Sequence, residues 1–232
     1  MCKVKKKTKV LLFFLSILIL IFCVGVWQWN NIVAVYKTVT TSREQLEQEI
    51  DLNKQTLEEE LTQKYSTIVS DFSAEEEKKL IKGEITVEQA VENLNKRYEK
   101  KKNDKTQSLQ TNNINAEKID ELIGDKVIEL YSLKAYYLGQ LGQMEATVKS
   151  EYAAMPAEKK NFVGKKELVS KHMGVALGLM NQCDAKVSKL VSELESELKK
   201  LGGDTAIIKT IKDAYENEKA LKKAQYLKLL NE

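Results

Sequence analysis

Histidine and proline each occur once in these 232 residues, tryptophan twice and cysteine three times. A lone His172 cannot build a histidine-rich metal site or a His-centred catalytic system. A single proline, Pro156, argues against a turn-dense all-β fold and leaves room for long helices. Cys2, Cys23 and Cys183 are too scattered for a disulfide framework. Arginine is scarce as well: Arg43 and Arg97 stand alone among 37 Lys+Arg. Bidentate readout of phosphates or bases leans on arginine, so no nucleic-acid partner is expected. The glycine-rich phosphate loop, the dinucleotide fingerprint, the nucleophile elbow and the H-E-x-x-H zinc motif are all missing.

What the chain has is charge, at 31% of residues, in proportions common to solvated helices and coiled coils. The formal charge is +3, yet Lys3, Lys5, Lys6, Lys7 and Lys9 alone contribute five positives. The remainder therefore sums to 3 − 5 = −2, and the basic balance is a terminal feature. Directly after these lysines, Val10 to Trp27 runs without a charge. As a helix it would cover ~27 Å, close to the ~30 Å hydrocarbon core of a bilayer. Trp27 and Trp29 close the run, where amphipathic rings favour the headgroup layer. The expectation is a cytoplasmic basic tail over 1–9 and a transmembrane signal anchor over 10–29, with the rest extracytoplasmic. Lys5, Lys6, Lys7, Lys9, Trp27 and Trp29 would mark the two membrane interfaces. A cleaved signal peptide shares the basic start, but its apolar run is shorter and small residues mark the cut. Here Gly25 and Ala34 have Cys23 and Ile32 two residues before them.

Beyond the membrane the apolar period is helical. Ile32, Val35, Val39, Leu46, Ile50, Leu57 and Leu61 make a stripe interrupted by Arg43 and Asn53, predicting a helical stalk over 30–72. Residues 73–98 read as a short helical hairpin: Ser73 with Glu76 and Thr86 with Gln89 fit capping boxes, and Gly83 suits a left-handed cap between them. The string Leu80-Ile-Lys-Gly83-Glu-Ile85-Thr86-Val-Glu88-Gln resembles the SHOCT motif, a short two-helix hairpin, and that resemblance implies a role in oligomerisation. A generic capped helix–turn–helix accounts for the same residues. Residues 99–115, opening on Lys100-Lys101-Lys102, are too polar for a core and are expected to be a linker.

The distal part, 116–232, carries three strong stripes. One runs from Ile119 through Val127 and Tyr137 to Met155, before Pro156. The second is a heptad through Val169, Met173, Ala176, Met180, Cys183, Val187, Leu190 and Leu194, with Glu197 as its exception before Leu201. Gly202-Gly203 ends that helix, and Asp204 or Thr205 caps a third containing Ile207, Ile208 and Ile211. Short joints predict an antiparallel three-helix bundle, so the fold class is all-α: a transmembrane helix, a coiled-coil-like stalk and a distal bundle. In layout, though not in sequence, this is similar to LemA-type membrane proteins.

Candidate chemistry is thin. His172 and Cys183 lie eleven residues apart, ~16 Å along one helix, and cannot meet within a chain. Cys183 reads as a buried core thiol and His172 as a boundary residue. The many Glu pairs read as solvated faces, so no catalytic, cofactor-binding or metal residues are assigned. Gly139, Gly142, Gly174 and Gly178 fall inside predicted helices, where each costs about 1 kcal/mol against Ala. Close helix packing or a partner groove would offset that cost. Tyr131, Tyr136, Tyr137 and Tyr152 accompany them. The function expected is that of a non-catalytic scaffold, stalk or assembly factor, in contact with the bilayer and with other proteins or itself. The Lys-over-Arg bias points to a bacterial surface. A ligand-binding or sensory ectodomain signalling through a partner membrane protein is the alternative.

Overall fold

The computed structural model describes residues 29–65, 69–106 and 114–231. The basic tail with Lys5, Lys6, Lys7 and Lys9, and the apolar run up to Trp27, lie outside these residues. Trp29 opens the first described helix. Among the described residues no helix is long and apolar enough to cross a membrane. These residues form α-helices, one 3-10 turn and no strand: α1 (Trp29–Thr40), α2 (Arg43–Tyr65), α3 (Ala74–Ile81), α4 (Val87–Thr106), α5 (Ile114–Ala154), α6 (Phe162–Leu201) and α7 (Ala206–Asn231). The described residues form two compact units, one of 29–53 with 213–231 and one of those between 54 and 212.

This division departs from the expected stalk, hairpin, linker and bundle. In the first unit α1 and α2 do not make a continuous stalk. The Ser42 N–H donates to Gln45 Oε1 at 2.9 Å and the Gln45 N–H to Ser42 Oγ at 3.2 Å. That reciprocal box starts a new helix at Arg43. The end of the chain then closes on its beginning: Ala34, Leu46 and Ile50 bury with Leu221 and Ala224 of α7. Asn53, which breaks the apolar stripe, donates from Nδ2 to the Ala214 carbonyl at 2.9 Å. Lys228 Nζ donates to the Thr41 carbonyl at 2.7 Å, satisfying an acceptor at the helix break. Val39, expected on the stripe, is exposed.

In the second unit α5 is the shared partner of α3, α4 and α6. It therefore buries two faces. Ile123, Val127 and Leu130 belong to the predicted stripe, while Tyr131, Ala135 and Leu138 form a second one. The hairpin is built as its caps dictate. Ser73 and Glu76 exchange bonds of 2.9 and 3.2 Å, as do Thr86 and Gln89. Gly83 adopts φ 70°, with Gly83 N–H on Leu80 O and Glu84 N–H on Lys79 O, a Schellman turn. Residues 99–106 of the expected linker continue α4, and 107–113 lie outside the described residues. The polar turns stay helical on ion pairs: Lys102 meets Glu121 at 2.5 Å and Lys101 meets Glu58 at 3.6 Å.

α5 and α6 run antiparallel, as ion pairs from Lys126–Glu193 to Glu151–Lys171 show. Between them Asn161 caps α6 by accepting from the Gly164 N–H at 3.1 Å. Gly202, at φ 70°, ends α6 with the same Schellman pattern as Gly83, and Asp204 Oδ1 then accepts from the Ala206 N–H. The α6 heptad holds only in its second half, where Val187, Leu190 and Leu194 are buried. Leu198 replaces the Glu197 position, because 3.6 residues per turn drifts off a strict heptad. In the first half Met173 is exposed and Cys183 only half-buried, which corrects the core positions expected for both. The third helix of the expected bundle is shared out: Ile207, Ile208 and Ile211 are buried in this unit's span, while residues 213–231 of α7 belong to the other unit.

Candidate functional site

Four glycines were candidates for close packing or a groove, and the structure separates them into two pairs. A Cβ on Gly142 would stand 2.1 Å from the Ile81 carbonyl oxygen, and one on Gly139 would stand 2.8 Å from Val87 Cγ2. The hairpin therefore rests on these two positions of α5; at Gly142 the obstacle is backbone and only glycine allows the approach, whereas at Gly139 it is one side-chain methyl group. Gly174 and Gly178 on α6 have no atom within 4 Å of a Cβ position, so the packing account fails for them. Gly124, outside the expected set, also packs closely: a Cβ there would lie 2.2 Å from the Tyr98 hydroxyl oxygen. Its signal was the same as that of Gly139, a glycine in a helix interior. Burial raises the Tyr98 pKa, and hydrogen bonding to the negative Asp125 raises it further.

Beneath the hairpin lies a buried ionic cluster. Lys54 Nζ and Lys134 Nζ each lie 2.7 Å from Glu77 Oε1, whose side chain is 3% exposed. Lys134 also meets Asp71 Oδ2 at 2.6 Å, and Lys54 donates to the Phe72 carbonyl at 3.0 Å. Carboxylates drawn from Asp71 and α3 thus meet ammonium groups from α2 and α5. Desolvating such charges is costly unless each finds a partner. These lysine–carboxylate pairs join α2, α3 and α5. Glu76 sits nearby at the start of α3. Burial would raise its carboxyl, but the Ser73 backbone N–H and the Arg97 guanidinium outweigh burial and hold it below the usual range.

His172 and Cys183 share the unbroken helix α6 and are not brought together. His172 Nε2 instead lies 3.1 Å from Glu151 Oε2, and Lys171 Nζ lies 2.9 Å from both Glu151 oxygens. Hydrogen bonds from Lys171 and His172 lower the Glu151 pKa. This contact ties the end of α5 to α6. The tyrosines divide too: Tyr131 and Tyr137 are buried, whereas Tyr136 is exposed, edge-on to Tyr137, with Lys186 Nζ 5.1 Å from its ring centre.

The surface feature that needs explanation is the first half of α6. Val163 is 61% exposed, Leu177 43% and Met173 39%, with Gly174 exposed among them. Val175, two residues from both Met173 and Leu177, is 55% exposed as well, so the exposed apolar side chains of this stretch are spread around the helix. No family model matches the chain, and neither a curated protein nor a solved structure shows significant similarity to it.

Proposed function

We propose that this chain is a single-pass, membrane-anchored helical protein that acts as a non-catalytic extracytoplasmic scaffold or assembly factor at a bacterial surface. The observation that supports the contact role is the exposure of Met173, Val175 and Leu177 within five residues of α6. Supporting the anchor is the uncharged run Val10–Trp27 behind Lys5, Lys6, Lys7 and Lys9. The SHOCT-like segment over 73–98 fits an assembly role. Its turn is packed against Gly139 and Gly142, which holds the hairpin firmly on α5.

Two measurements test this reading. A membrane-impermeant thiol reagent applied to intact cells should leave Cys2 unlabelled and reach the half-buried Cys183 only from outside. A mature chain beginning between residues 24 and 36, or labelling of Cys2 from outside, would sink the anchor. Cross-linking in membranes should yield protein adducts of the intact chain, and their complete absence would refute the scaffold role.

A further inference from the structure

Helix α1 has two sides of different kinds. Ala34 is buried with Leu46 and Ile50 of α2 and with Leu221 and Ala224 of α7. Next to it, Thr38 Oγ1 donates to the Ala34 carbonyl at 2.7 Å and reaches the Ala224 carbonyl at 3.4 Å. Lys37, the one charged residue of α1, is drawn to Glu49 of α2. Opposite this side, Tyr36 is 66% exposed and Val39 80%. At about 100° per residue, they stand about 200° and 140° around the helix from Ala34. The Thr40 hydroxyl beside them donates to the Tyr36 carbonyl at 2.9 Å, so its polar group is used within the helix. The outward side thus carries a phenol ring and an aliphatic side chain without a charge, in a chain of which 31% of residues are charged. In the sequence Ile32, Tyr36 and Val39 follow Trp29 at spacings of three, four and three, an apolar helical period that starts with the first residue of α1.

The place of this face in the chain says what covers it. α1 begins two residues after Trp27, which closes the uncharged run, so at most ~7 Å of chain separates the two. A helix standing upright on the anchor, as a stalk would, puts Val39 ~15 Å beyond Trp29. That is past a headgroup layer about 5–8 Å deep, and the apolar side would be left in water. A helix lying along the surface puts Tyr36 and Val39 into that layer together, where an amphipathic ring with a polar tip is favoured. The packing of the unit suits the second arrangement. α1 doubles back along α2 after the break at Ser42, with Lys37 beside Glu49 and Ala34 beside Ile50. α2 and α7 therefore lie against the Ala34 side and leave Tyr36 and Val39 facing outward.

We propose that α1 lies along the bilayer surface, with Tyr36 and Val39 in the headgroup layer on the side where the Val10–Trp27 span ends. This rests on the anchor reading and gives the anchored unit an orientation: side-on to the lipid, not raised on a stalk.

The full chain, reconstituted in vesicles of phosphatidylcholine and phosphatidylglycerol, tests this. Nitroxide labels are placed through Tyr36→Cys, Val39→Cys and Leu52→Cys, each in a background of Cys2→Ser, Cys23→Ser and Cys183→Ser. Leu52, 63% exposed on α2, is the reference for an apolar position in water. Relaxation by oxygen, which enters lipid, and by a water-soluble nickel chelate reads the depth of each label. The labels at 36 and 39 should be roughly threefold or more less accessible to nickel than the label at 52, and should lie at equal depth. All three positions are exposed, and circular dichroism checks that helicity is unchanged. A label at 36 or 39 as accessible to nickel as the one at 52, in protein that stays with carbonate-washed vesicles, would overturn the side-on placement and leave the anchor intact. Dipolar broadening between labels at 39, removed by dilution with unlabelled chain, would put a second copy on this face and overturn it as well. Protein that carbonate strips from the vesicles would sink the anchor and the placement together.

Discussion

Replacing Gly142 and Gly174 by alanine, one at a time, should move stability in opposite directions. Both lie inside long helices, so both variants gain about 1 kcal/mol of intrinsic helix preference. At Gly174 nothing stands within 4 Å of the new methyl group, and the gain should appear as about 0.5–1 kcal/mol of added stability. At Gly142 the new carbon would sit 2.1 Å from the Ile81 carbonyl oxygen. Even a close C–H···O contact is ~3.3 Å, so an overlap of about 1 Å must be relieved. Ile81 is the last residue of α3 and cannot retreat alone, because the turn beyond it is held by Gly83 N–H on Leu80 O at 3.1 Å and Glu84 N–H on Lys79 O at 2.8 Å. The whole hairpin must lift from α5. Overpacking of this kind costs about 1–3 kcal/mol, and a backbone obstacle puts it near the top of that range. The net expectation is a loss of roughly 2 kcal/mol for Gly142→Ala. Urea denaturation followed by circular dichroism reads both variants as shifts of midpoint at constant slope. Equal stabilisation by the two substitutions would refute the docking of the hairpin turn on Gly142.

Lys134→Met removes a cation from both Glu77 and Asp71, and should cost about 3–5 kcal/mol in the same denaturation assay, because the carboxylates stay buried with less compensation. Glu76 gives a pH signature. Its folded carboxyl lies below the ordinary value of 4.5, so its contribution is present above that pH and is lost as pH falls through the folded value. Glu76→Gln should therefore destabilise by about 0.5–1 kcal/mol at neutral pH, a figure reduced by solvent screening, and the difference from wild type should vanish in acid. A difference that persists at low pH would mean that the charge is not what Glu76 contributes.

Local chemistry was legible in the linear chain wherever a feature needs only a few neighbouring residues. Both hairpin capping boxes, the left-handed Gly83 and Gly202, and the stop before Pro156 depend on backbone groups three to five residues away, and each formed where its residues stand. The Ser42–Gln45 box is equally local, and it divides the expected stalk into two helices. The all-α class followed from the same kind of evidence, since helical period and a near absence of proline act turn by turn.

Partner choice was not legible, because periodicity shows that a face is apolar without showing what covers it. The regular first half of the α6 heptad promised a core that Met173 does not enter, while Asn53, an apparent flaw, is used by the Ala214 carbonyl 161 residues away. The end of α7 meets α1 and α2 across nearly the whole chain, a pairing that spacing within either segment cannot express. The glycines make the distinction plainest. Gly142 and Gly174 look alike as residues in a helix, and only the approach of the Ile81 backbone to one of them decides which position tolerates a side chain.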